Sequence, residues 1–143
     1  MSAPVYKNIL SIEYPNIPSA GVYYFNTKSA LRYEVRFGRL QDNILHANIV
    51  FGVVNDEFEG EEYVATNKGE VYQVMNTIVE IVKNYMKEHP KVNVYEFNAV
   101  GRDNEDDSVE NGRMVLYKRF LPKIFEKGWN FKIEGNFAFV TKQ

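Results

Sequence analysis

With 143 residues, 45% hydrophobic and 15% aromatic side chains, the chain is sized for one compact domain with a substantial core, which excludes wholesale disorder and two domains of ordinary size. A formal net charge of −2 supplies no global field for a polyanion, and the absence of cysteine excludes disulfides, thiolate nucleophiles and thiolate-bound zinc. No apolar run approaches the roughly 20 residues that span a bilayer, and the first residues form no secretion signal, so the expectation is a soluble protein.

In chain order, Pro4, Pro15, Pro18 and Gly21 punctuate the first segment. Proline fixes φ and lacks an amide donor, so residues 1–20 are expected to form an extended arm with at most a short strand around Ile9 to Tyr14. The aromatic and branched residues of the arm imply that it packs on its own domain or on a neighbouring subunit. Residues 21–143 are expected to form the single domain. Val22 to Phe25 is a first β run. Leu31 to Phe37 alternates strictly, which turns Leu31, Tyr33, Val35 and Phe37 inward and Arg32, Glu34 and Arg36 outward. Gly38 to Asn43 is expected to turn the chain. Ile44 to Val54, continuously apolar toward its end, reads as the central strand of a three-stranded meander.

An acidic turn at Asn55 to Gly60 and a candidate short strand at Glu62 to Ala65 follow. Asn67 and Glu70 have the spacing of an N-cap with a capping box. Val71, Val74, Met75, Ile78, Ile81, Val82, Tyr85 and Met86 then recur at helical spacing, until His89-Pro90 ends the helix. Val92 to Val100 reads as a buried strand, and residues 101–112 as a polar loop with carboxylates at Asp103, Glu105, Asp106, Asp107 and Glu110. That loop lacks the spacing and glycine of a calcium-binding loop and reads as a solvated N-terminal cap, so no metal is expected. A second helix starts near Asp107 or Ser108, with a kink or break near Phe120 caused by Pro122. Gly128 closes it, and Phe131 to Glu134 pairs with Phe137 to Thr141 around Gly135-Asn136.

The resulting fold class is α+β: a mainly antiparallel sheet, ordered β-β-β-α-β-α-β-β, carrying two helices. Over residues 20–141 this order resembles the GCN5-related N-acetyltransferase (GNAT) fold without its usual first two helices. That family opens its long helix with an Arg/Gln-x-x-Gly-x-Gly/Ala loop, whose backbone donors hold the coenzyme A pyrophosphate. Here the matching stretch is Thr66-Asn67-Lys68-Gly69-Glu70-Val71. Gly69 is in place and Lys68 adds a cation, but Thr66 and Val71 depart from the pattern. Glu70 sets a negative charge beside the expected pyrophosphate. Leu116-Tyr117 matches the family's Leu-Tyr pair, which implies Tyr117 as the acid that protonates the departing thiolate, with no partner base marked. Phe97-x-Ala99, the acidic loop and Arg113-x-x-Leu116-Tyr117-x-Arg119 also look like a strand-loop-helix ending of a set of tailed-bacteriophage proteins, a resemblance that implies viral origin and names no reaction.

In an open α/β layer ligands commonly bind at strand ends, which sets a candidate pocket between Arg102, Asn98, Gly69 and Tyr117. Arg32, Arg36 and Arg39 with Lys28 form a candidate anion patch, weakened by Glu34, and nucleic acid is not the expected partner. The eroded cofactor loop, the aromatic richness and the proline-rich arm favour a non-enzymatic bacteriophage protein, a virion component or host-interaction factor acting in the virion or host cytoplasm. It would act through a protein partner or self-association, without a cofactor. The alternatives are an acyltransferase using acetyl-CoA through Lys68, Gly69, Asn98 and Arg102, and a protein that sequesters a small nucleotide.

Overall fold

A computed structural model describes residues 9–17, 21–54, 68–98, 112–125, 127–135 and 137–143. The elements are β1 (Ile12–Glu13), β2 (Val22–Asn26), β3 (Arg32–Leu40), β4 (Asn43–Val53), α1 (Lys68–Glu88), β5 (Val94–Asn98), α2 (Gly112–Ile124), β6 (Trp129–Glu134) and β7 (Phe137–Lys142). The strands form one seven-stranded sheet in the order β1-β2-β3-β4-β5-β7-β6. Every neighbouring pair is antiparallel except β4 and β5, which run parallel and are joined through α1. The α+β class is therefore observed. The candidate strand at 62–65, the capping residue Asn67, the acidic loop and Arg102 lie outside the described residues.

Alternation decides the core. Tyr23 and Phe25, Tyr33, Val35 and Phe37, Ala47, Ile49 and Phe51, Tyr95 and Phe97, and Ala138 and Val140 are buried and share one face of the sheet. Both helices cover that face, because Met75, Ile78 and Val79 of α1 meet Phe120, Leu121 and Ile124 of α2 over Phe51 and Phe97. The inward set read from α1 is observed at Val74, Met75, Ile78, Ile81, Val82 and Tyr85. The apolar run in β4 is corrected in one respect. Val50 is 43% exposed, so the strand is central yet buried on one face only. No described element packs on the other face.

Two further expectations change. The strand β3 continues through Gly38 to Leu40, and the turn is confined to Gln41–Asp42. Gly38 is a close-approach site, since a Cβ there would lie 2.6 Å from Asn48 Oδ1. The second helix also runs through Pro122 without a break and ends at Ile124. Pro122 is exposed and sits in the last turn, where the helix is already ending.

The described part of the N-terminal arm packs on its own domain. Leu10 N donates to the buried Thr77 Oγ1 at 2.8 Å, and Tyr14 meets Tyr23 edge-on at 5.9 Å. Arg32 grips Glu13 with two hydrogen bonds of 2.9 and 3.0 Å, which holds the Glu13 carboxyl below its ordinary pKa.

Candidate functional site

The parallel pair is the one place where the sheet changes sense, and it defines the candidate site. β4 and β5 pair from His46↔Val94 to Ile49↔Phe97. Beyond that point β4 runs on to Val53 in pairing with β3, and Asn98 of β5 pairs with Phe137 of β7. α1 lies in the connection between the two parallel strands, and the carboxyl ends of such strands accept ligands in open α/β sheets.

On the helix side, the space over these strands is filled by protein. Phe51 and Phe97 face Met75, Ile78, Val79, Phe120, Leu121 and Ile124 around a cavity of about 10 Å³, close to the room of one water molecule. Tyr72 tilts onto Phe120 at 6.1 Å, and its hydroxyl accepts a hydrogen bond from Arg119 Nη1 at 2.9 Å. Lys123 lies 4.8 Å from the centre of the Phe120 ring. Part of the basic side of α2 is thus engaged with aromatic rings at the α1–α2 seam.

The helix-free side of the same strands carries a polar group. His46 Nε2 lies 3.0 Å from Glu96 Oε1, with side-chain exposures of 16% and 25%. Asn48 stands opposite Glu96 in the register and rests over Gly38. Asn98, two residues beyond Glu96, falls on the same face by alternation. An imidazole hydrogen-bonded to a carboxylate is oriented for proton transfer, so the pair has the geometry of a general base. Further across this face Tyr24 donates to Glu34 Oε2 at 2.9 Å and Arg36 pairs with Glu34 at 3.1 Å. The hydrogen bond to Glu34 raises the Tyr24 phenol. The arginines of the candidate anion patch are thereby neutralised locally. Arg39 turns elsewhere, donating through Nε to Tyr85 Oη at 2.8 Å and through Nη1 to the Ile44 carbonyl.

The residues expected to bind or react divide accordingly. Lys68 and Gly69 occupy the first turn of α1, and Tyr117 lies within α2, while the side chains of Lys68 and Tyr117 fall outside the described part. Asn98 ends β5 but belongs to the face opposite α2. Sequence reasoning missed His46–Glu96. Its signal was parity, since residues 46 and 48 alternate with buried 47, 49 and 51, as 96 and 98 do with 95 and 97. What no parity shows is that these two strands are neighbours.

Near the base of the same strands, a depression of about 310 Å³ is lined by Arg39, Ile44, Leu45, Glu88, His89 and Lys91. Lys91 stands just beyond the C-terminal end of α1, where a cation complements the helix dipole. Close by, Tyr95 is 1% exposed and its hydroxyl has no hydrogen-bond partner among the described residues. Burial pushes its phenol far above the ordinary range. Replacing Tyr95 by Phe removes an orphaned polar group and leaves the ring contacts intact. It is expected to stabilise the domain by about 1 kcal/mol, read as a higher urea midpoint with unchanged slope. A loss of stability would show that the hydroxyl has a partner.

A scan against protein-family models and searches of curated proteins and of solved structures found no match to this chain. Among the described residues, fold and site define an α+β domain with one parallel strand junction and both helices on one face of the sheet. Among the described residues, no helix is long and apolar enough to cross a membrane.

Proposed function

We propose that this chain is a non-enzymatic binding protein of a tailed bacteriophage, a virion component or host-interaction factor, built on a scaffold similar to the GNAT fold. The scaffold reading draws support from the single parallel pair β4/β5 with α1 between its strands, and from the terminal hairpin inserted as β5-β7-β6. The bacteriophage reading rests on the Phe97-x-Ala99 and Arg113-x-x-Leu116-Tyr117-x-Arg119 segments. One observation carries the choice of binding over catalysis. The helix side of β4 and β5 is packed with Phe51, Phe97 and Phe120 down to about 10 Å³, whereas the opposite face of the sheet is uncovered by any described element. Drug-sized ligands fill pockets of roughly 300–1,000 Å³, which the helix side of these strands does not offer; the depression of about 310 Å³ beside Glu88 and His89 lies at the other end of β4 and β5.

A second reading, an N-acyltransferase using acetyl-CoA, is favoured by His46–Glu96, which supplies the proton acceptor that the sequence left unmarked. Thermal unfolding with and without millimolar acetyl-CoA separates the two. Ligand at about 100 times its dissociation constant adds roughly 2.7 kcal/mol, a rise of several degrees for a domain of this size. No shift is expected. A clear rise that is lost on Gly69→Asp would overturn the binding reading in favour of acyl transfer. A rise with a nucleotide but not with acetyl-CoA would instead indicate sequestration.

A further inference from the structure

The strand β6 is the last in the sheet order, and among the described residues it pairs with β7 alone. Its free edge can be read group by group. Gln143 N donates to Gly128 O at 2.7 Å, which makes Gly128–Gln143 a hydrogen-bonded pair, one step before Trp129↔Lys142 in the ladder. Antiparallel ladders alternate bonded and non-bonded pairs. Asn130, Lys132 and Glu134 therefore turn their backbone groups toward β7. Trp129, Phe131 and Ile133 turn theirs to the open edge. The side chains of those same three residues share the helix-bearing face, and Phe131 is 42% exposed although its ring meets Phe125 at 6.3 Å.

We infer that this edge pairs with β6 of a second copy of the chain about a two-fold axis at Phe131. Opposite residues of an antiparallel pair share a face, so an axis normal to the sheet allows only registers that keep side-chain parity. An axis at Phe131 sets Phe131 against its twin and Trp129 against Ile133 of the other copy. All the outward backbone groups of Trp129, Phe131 and Ile133 then meet partners. On the polar face Asn130 stands opposite Lys132. Moving the axis to Lys132 would set that cation directly against its twin, which is destabilising. Lys132 already carries Glu134 at 3.6 Å, so the charge that would guard the edge is locally offset. The occupant is a second copy because this segment is complementary to itself in backbone, apolar and polar terms at one register.

Sedimentation of the intact chain tests this, with Phe131→Lys and Phe131→Glu as variants. Both changes are at an exposed position, and Trp129 fluorescence together with a thermal melt verifies that each variant folds. Wild-type protein is expected to pass from monomer at about 1 µM to dimer at roughly 300 µM, the range of a small interface. Each variant alone sets like charges against each other on the axis and weakens dimerisation by at least about tenfold. Mixed in equal amounts, the introduced lysine of one copy would face the introduced glutamate of the other, so the dimer returns only in the mixture. Wild-type protein that stays monomeric throughout overturns the proposal and leaves the edge to a strand of another protein. Self-association untouched by both variants overturns it in favour of another surface.

Discussion

Phe125→Ala is expected to lower the unfolding free energy by about 3–5 kcal/mol and the melting temperature by roughly 10–15 °C. Phe125 is 2% exposed and lies just beyond α2, where its amide still bonds the Leu121 carbonyl at 3.0 Å. Its ring sits 5.1 Å from Trp129, 5.4 Å from Tyr95 and 5.9 Å from Phe97. The side chain thus ties the end of α2 to both β5 and β6. Truncation leaves a cavity whose walls belong to different strands and cannot all move inward. Trp129 is the single tryptophan, so its emission reports this cluster directly. Guanidinium unfolding followed by that emission is the measurement. A loss below about 1 kcal/mol would mean that the end of α2 does not hold the β5-β7-β6 half.

Gly21→Val is expected to destabilise by about 2–4 kcal/mol. Gly21 has φ +68°, and a Cβ there would lie 2.9 Å from the Phe37 carbonyl oxygen. The left-handed conformation alone costs roughly 1–2 kcal/mol for an L-residue, and more when it is β-branched. The obstructing atom is backbone, and Phe37 N donates to Gly21 O at 2.8 Å, so relief requires opening the start of the β2–β3 ladder. Gly128→Ala supplies the control. Its φ is +96° with nothing within 4 Å of the added carbon, so it isolates conformational strain from collision. Urea midpoints for both variants separate these contributions. Equal losses at the two positions would remove the collision at Gly21 from the account.

Between them, these positions show which parts of the fold were legible. The strict alternation of Leu31 to Phe37 and the helical spacing from Val74 to Met86 each report burial of one face, and both faces are buried as read. Gly135 in the hairpin turn, at φ +58°, was marked by its residue type. Val50 misled because an apolar residue on a central strand implies two-sided cover, and only the placement of both helices on one face leaves it exposed. Gly38 misled because glycine signals a turn, whereas here it admits the Asn48 side chain from the neighbouring strand. Pro122 does not break the helix, because it falls in the last, exposed turn.

The candidate site was legible only in part. Lys68 and Gly69 were placed by the start of a long helix, and Asn98 within a strand, which are local properties. His46 and Glu96 lie 50 residues apart in sequence and meet at 3.0 Å solely because β5 enters the sheet parallel to β4. Local sequence determined which residues form strands and helices and which side of each faces the core, because period and residue type act within a few residues. Only the tertiary structure decided strand order, the parallel pairing of β4 with β5, and the place of β6 at the end of the sheet order. Those depend on which elements share a neighbour, a global choice among pairings that leaves no periodic trace in the chain.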